Sequence, residues 1–210
     1  MKPILTFVCL AASAANAAII TYTDRNAFLA ALSGAIYEES FAGIGADNLG
    51  VSSMNFSGNG LGYSISSTSN LFGTTIGGDR SMSTFTGTAP LTVGSFAGGV
   101  VAVGGYFYFD NGASGLSTSG AGPVTASNGI DANAIIQVGV ASSLTNFVGF
   151  ISSTPLVSVT FLRTSTNPQQ FPNVDDLIVA SAGAQGVPEP GTIALTVAGL
   201  AGLLTLRKRR

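Results

Sequence analysis

Between Ala18 and Gly186 a single stretch, TDRNAFLAALSG (residues 23–34), carries apolar side chains at helical spacing. Most of the rest is short β-like runs cut by Gly, Ser and Asn clusters. In the helical stretch Thr23 or Asp24 can cap the first turn, Phe28, Leu29 and Leu32 share a face, and Gly34 sits where helices stop. The other runs predict strands over residues 38–41, 54–57, 62–66, 83–88, 100–109, 135–140, 147–152, 157–161 and 177–180. Many short strands separated by turn signals predict a mainly β fold: a two-sheet antiparallel β-sandwich, jelly-roll-like, with one short N-terminal helix. GNGLG, NGASGLSTSGAGP and TSTNPQQFPN read as loops, and no repeat of fixed period is present.

Charge narrows the function classes. Charged residues are 9% of the chain, against roughly 25% in average globular proteins, while 46% hydrophobic residues can supply a core. From residue 18 to residue 186 the three basic residues (Arg25, Arg80, Arg163) face nine acidic ones, a net charge of -6. An acidic body with no basic patch cannot neutralise phosphates, so nucleic acid is not an expected partner. The chain has no His, hence no imidazole base and no Ser-His-Asp triad. Glu38 and Glu39 are strand neighbours pointing to opposite faces, a poor acid–nucleophile pair, and no phosphate loop is present. The body therefore reads as non-catalytic.

Both ends read as addresses. Residues 1–17 have Lys2, an apolar stretch and small residues at Ala15 and Ala17, the pattern of a secretory signal peptide cleaved after Ala17. Sec translocase and signal peptidase are its expected partners. The single Cys, Cys9, falls inside this leader, so the mature chain has no disulfide or thiol chemistry. An extracytoplasmic body, residues 18–181, and a linker, residues 182–187, follow. The last segment, residues 187–210, has Pro188-Glu189-Pro190, an apolar helix over about residues 191–206, and Arg207, Lys208, Arg209 and Arg210. Fifteen of those helical residues span about 22 Å, short of a bilayer core of about 30 Å. Snorkelling Arg and Lys stems can make up the difference. Four terminal cations resist translocation, leaving the tail in the membrane and the body outside.

The tail resembles the PEP-CTERM sorting signal of Gram-negative bacteria, also called the ice-binding protein C-terminal domain. The likeness rests on Val187, Pro188, Glu189 and Pro190, the small-residue helix with Gly199 and Leu200, and the basic cluster. It implies recognition by an exosortase, which cuts near Pro-Glu-Pro and passes the body to the cell surface or beyond. An unprocessed single-span anchor is the other reading.

Within the body, Tyr106 and Tyr108 share one face of GVVAVGGYFYFD, with Phe107 and Phe109 on the other, core-facing side. The Tyr pair can offer a sugar-stacking platform or can be an amphipathic pair near a sheet edge. No cofactor is required, and the one candidate is a structural calcium. Early and closing strands often lie side by side in jelly rolls, where their carboxylates can share a hard cation. The closing NVDDLIVA is similar to the last strand of galactose-binding-like carbohydrate-binding modules, and by that likeness Glu39 and Asp175 are the calcium candidates. Alternatively, Asp175 caps a loop and the glutamates face water. Thr84, Thr86 and Thr88 align on the predicted strand 83–88, a weak pointer to ice binding. The expected function is an exported surface or matrix protein, structural or polysaccharide-associated, with a lectin-like glycan-binding module as the alternative.

Overall fold

A computed structural model describes residues 18–112, 115–118, 120–139, 144–167 and 169–183. The expected signal peptide with Ala15 and Ala17, the sorting motif, the membrane helix and the basic tail lie outside the described residues. The chain forms β1 (Ile19–Tyr22), α1 (Arg25–Ala31), β2 (Ile36–Glu39), β3 (Ser53–Gly58), β4 (Leu61–Ser67), β5 (Leu71–Ile76) and β6 (Asp79–Thr84). Then come β7 (Leu91–Ala97), β8 (Val100–Asp110), β9 (Gly122–Ser127), β10 (Ala134–Val138), β11 (Phe147–Ser152), β12 (Ser158–Phe161) and β13 (Phe171–Ser181). The first sheet has seven strands in the order β1-β11-β8-β13-β6-β5, with β2 paired to β13; the second has six, β10-β9-β12-β7-β4-β3. Every pairing is antiparallel. Among the described residues this is the mainly β, two-sheet arrangement with one short helix that the sequence predicts for the body.

The sheets pack face to face through the alternate residues that the pleat turns inward. Phe107 and Phe109 of the first sheet meet Phe161 of the second, with ring centroids 5.7 and 4.5 Å apart. Ile65, Leu91, Val93, Val124, Val159, Val174 and Leu177 complete this layer. The Phe107/Phe109 face is core, as expected.

A second apolar layer lies on the outer side of the first sheet, under α1. Asp24 caps this helix, its Oδ1 accepting from the Ala27 N–H at 2.7 Å. Leu32 is its C-cap, so the helix stops before Gly34. Fully buried Phe28 reaches the sheet where Gly104 of β8 pairs with Gly149 of β11. A Cβ on either glycine would come within 2.8 Å of the Phe28 ring. Two missing side chains thus make the seat for one aromatic ring, and Phe147 and Tyr22 pack against its edges.

Four strands lie outside the predicted set: β1, β5, β7 and β9. The β5–β6 hairpin turns at Gly77-Gly78, both at positive φ, as a two-residue hairpin of this hand requires. The predicted strand 83–88 is corrected: β6 ends at Thr84, and the Thr84 hydroxyl donates to the Thr86 carbonyl at 2.9 Å to close a turn. Thr84, Thr86 and Thr88 therefore make no strand row. Asn59-Gly60 of GNGLG is the tight turn of the β3–β4 hairpin, and Phe171–Ser181 absorbs the end of TSTNPQQFPN into an 11-residue strand.

Candidate functional site

The outer face of the first sheet beyond α1 carries polar side chains that are nevertheless buried. Antiparallel register sets Asp110 opposite Phe171, Tyr108 opposite Asn173 and Tyr106 opposite Asp175; β6 adds Ser83 beside Asn173, and Ser81 lies on the same face. Ser81, Ser83, Tyr108, Asp110, Asn173 and Asp175 are each at most 5% exposed. Buried polar groups require partners, and most of these have them. The Ser81 hydroxyl donates to Asn173 Oδ1 at 3.1 Å, the Asn173 amide donates to Asp110 Oδ2, and the Ser83 hydroxyl donates to the same oxygen at 3.2 Å. The Gly112 N–H donates to Asp110 Oδ1 at 2.7 Å.

Burial raises the Asp110 pKa above the ordinary carboxylate range, and the bonds from Gly112, Asn173 and Ser83 pull part of it back. Asp175 has fewer compensating donors. Its Oδ1 accepts from the Asp176 N–H at 2.8 Å, and burial, reinforced by the charges of Asp176 and Asp79, pushes it up to about 7. Asp176 occupies a β-bulge between Asp175 and Ile178, at φ 44°, a left-handed conformation that Asp tolerates better than most residues.

Beside Asp110, at the β5 edge of the first sheet, a cavity of about 390 Å³ is lined by Phe72, Phe85, Phe171, Ser83, Thr74 and Asp110, among others. That size lies in the range of small-ligand sites, roughly 300–1,000 Å³. Phe85 is 49% exposed and forms the rim, with the Phe72 ring 6.4 Å away at 36°. Asp110 accepts from Gly112 and Asn173, and from Ser83 when that hydroxyl's one proton is not given to the Pro172 carbonyl 3.1 Å away. Of the roughly four lone-pair positions of a carboxylate, some acceptor capacity therefore remains. Aromatic faces, hydroxyls and one carboxylate with spare acceptor capacity suit a hydroxyl-bearing, uncharged guest.

The sequence-predicted residues lie elsewhere. Tyr108 is 1% exposed, so it presents no ring face to solvent; burial drives its phenol pKa well up. Tyr106 is half-buried, edge-on to Phe147 at 5.7 Å. The pair is thus packing rather than a stacking platform: Tyr106 packs against the aromatic layer under α1, and Tyr108 is buried among the polar side chains of β6 and β13. β2 and β13 do lie side by side, as expected, yet Glu39 and Asp175 are not brought together. Glu39 sits opposite inward-facing Leu177, whereas Asp175 sits opposite outward-facing Tyr106, with the bulge between them. The Glu39 carboxylate accepts from the Tyr37 hydroxyl at 2.6 Å and the Phe41 N–H at 2.9 Å, and burial together with that bond pushes Tyr37 up to about 12. Glu38, on the opposite face, pairs with Arg25 at 2.5 Å. No cluster of three metal-ligating side chains occurs among the described residues.

The residues that sequence reasoning missed are Phe72, Phe85, Phe171, Ser83, Asn173 and Asp110. They converge only through the β5–β6–β13–β8 pairing, and β5 lies outside the predicted set. The sequence matches no protein-family model and no curated protein.

Proposed function

We propose that this chain is an exported β-sandwich, jelly-roll-like, of the PEP-CTERM class that associates with extracellular polysaccharide without cleaving it. The leader with Ala15 and Ala17, the Val187-Pro188-Glu189-Pro190 motif and the terminal Arg207–Arg210 cluster support delivery through the membrane and handling by an exosortase. The observation that carries the binding role is the cavity beside Asp110. It combines three phenylalanine rings, buried hydroxyls and a carboxylate held by the Gly112 N–H and the Asn173 amide, with the Ser83 hydroxyl beside it. A carboxylate so restrained is an acceptor that orients a sugar hydroxyl, and the absence of His from the chain removes the commonest proton shuttle. The glycan candidate therefore moves from Tyr106 and Tyr108 to this cavity.

The test uses cells producing the full chain. Fractionation with C-terminal mass measurement should find the protein outside the cytoplasm, ending near Pro188. It should bind a soluble neutral oligosaccharide, and Phe85→Ala should weaken that binding. An intact Met1 in the cytosol would end the export reading. Unchanged oligosaccharide binding by the variant would end the cavity reading.

A further inference from the structure

The second sheet, on the other side of the molecule, offers a surface of a different kind. Its six strands contain no Asp, Glu, Lys or Arg. Their inward residues are the apolar core. On β9, β12, β7, β4 and β3 the pleat turns mainly Ser, Thr and Asn outward, while the edge strand β10 turns out Ile135, 56% exposed, and Gln137. The register aligns these outward residues across the sheet. One row runs Thr125, Thr160, Thr92, Ser66, Ser53 over β9, β12, β7, β4 and β3. The next row runs Ser127, Ser158, Gly94, Ser64, Asn55 over the same five strands. Within the first row the Thr92 and Thr160 hydroxyls stand 3.4 Å apart. Thr125, Thr160, Thr92 and Ser66 are half-buried and Ser53 is exposed, and the helix packs on the opposite sheet.

Neighbouring strands stand about 4.8 Å apart and alternate residues along a strand about 6.7 Å apart. The rows therefore form a grid about 19 Å wide over five strands, complete in the first row. The second row is interrupted at Gly94, which has no side chain, and at Ser64, 6% exposed with its hydroxyl donating to the Gly94 carbonyl. Each hydroxyl both donates and accepts. A grid like this gains little from one flexible chain, because single exposed hydrogen bonds contribute about 1 kcal/mol or less net. It gains from a partner whose own hydroxyls are fixed in rows, since the ordering entropy is already lost on both sides. The partner must also be neutral: these six strands carry no cation to pair with an acidic polymer, and the opposite sheet supplies an acidic background.

From this juxtaposition we infer that the outer face of the second sheet docks on ordered, uncharged polysaccharide, with extended chains lying side by side. The inference rests on the polysaccharide reading proposed above but not on the cavity. The cavity takes one sugar unit; the grid takes a surface.

Full chain in mild detergent is pelleted with microcrystalline cellulose, with chitin particles and with calcium alginate beads. The expected result is saturable retention on cellulose or chitin and little on alginate. Thr92→Lys with Thr160→Lys should lower retention at least tenfold by placing charge at the grid centre. The triple variant Thr92→Val, Thr125→Val, Thr160→Val, which keeps side-chain shape and strand propensity, should also lower it. Far-UV circular dichroism checks that each variant is folded. Phe85→Ala should leave particle retention unchanged while weakening soluble oligosaccharide binding, so the two sites fail separately. No retention on either neutral particle, or equal retention of the folded grid variants, overturns the inference. So does a concentration-dependent dimer abolished by the Lys pair, which would make a second copy the occupant. Thermal hysteresis lost in the Val triple without any particle binding would likewise replace polysaccharide by ice.

Discussion

The two sheets share one core and differ in almost everything else. Within its strands the first sheet holds Glu38, Glu39, Asp79, Arg80, Asp110, Asp175 and Asp176, and it is covered in part by α1; the strands of the second contain no charged residue. Part of the charge in the first sheet is managed locally: Arg25 neutralises Glu38, Tyr37 and Phe41 satisfy Glu39, and Gly112, Ser83 and Asn173 surround Asp110. Asp175 is left beside like charges, and Arg80 Nη1 is buried without a partner among the described residues. The second sheet needs no such management, and its outward hydroxyls are free to vary without leaving a charge unpaired. The lesson is that low overall charge need not be spread evenly. Here it marks one whole face as neutral and leaves the other with all the electrostatic work.

This contrast should break first at α1. Phe28→Ala removes a fully buried ring from the glycine seat on the first sheet and should cost about 3–5 kcal/mol in urea unfolding. Outward substitutions on the second sheet, such as Ser66→Ala, should stay within about 0.5 kcal/mol. A small loss for Phe28→Ala would mean that the helix is ornamental.

Acidity should separate the sheets next. Asp175 has its folded-state pKa raised from the ordinary 3.8 to about 7, and Asp110 is shifted in the same direction. A raised carboxyl pKa means that the folded chain binds the proton more tightly than the unfolded chain. Stability is then greatest near and below pH 4 as far as these groups decide it, and declines as pH rises through 7, by on the order of a few kcal/mol. Asp175→Asn should flatten that decline; a slope unchanged in the variant would remove Asp175 as its source. Substitutions on the charge-free sheet should leave the slope alone.

A smaller effect concerns calcium. Glu39 and Asp175 face opposite sides of the first sheet, so millimolar calcium should leave the melting temperature of the folded chain within about 1 °C, and EDTA should do the same. A rise of several degrees that Asp175→Asn abolishes would show that the cation is held by some other set including Asp175.

Much of the architecture was legible in the sequence because alternation and turn chemistry are local. The β8 run, with Phe107 and Phe109 inward, and the capped helix before it follow from spacing alone. β5 was not, although Gly77-Gly78 is a hairpin signal, because Gly73 interrupts its alternation. That glycine is required by the close approach of the Gly45 carbonyl, a contact from 28 residues upstream that no local pattern encodes. The cavity was lost with β5, since Phe72 and Thr74 come from it. The Tyr106/Tyr108 reading used the correct face but not its burial, which for Tyr106 depends on the layer under α1 and for Tyr108 on the polar cluster that β6 and β13 bring beside it. The Glu39/Asp175 reading used the correct strand adjacency, and the bulge at Asp176 turned the two carboxylates apart.

Isothermal titration of the full chain with a neutral oligosaccharide, followed by mass analysis of the recovered sugar, tests the central claim most directly. The account predicts a saturable isotherm that Phe85→Ala weakens at least tenfold, with the oligosaccharide recovered at its original length. An absent isotherm, one indifferent to Phe85, or shortened sugar would contradict it.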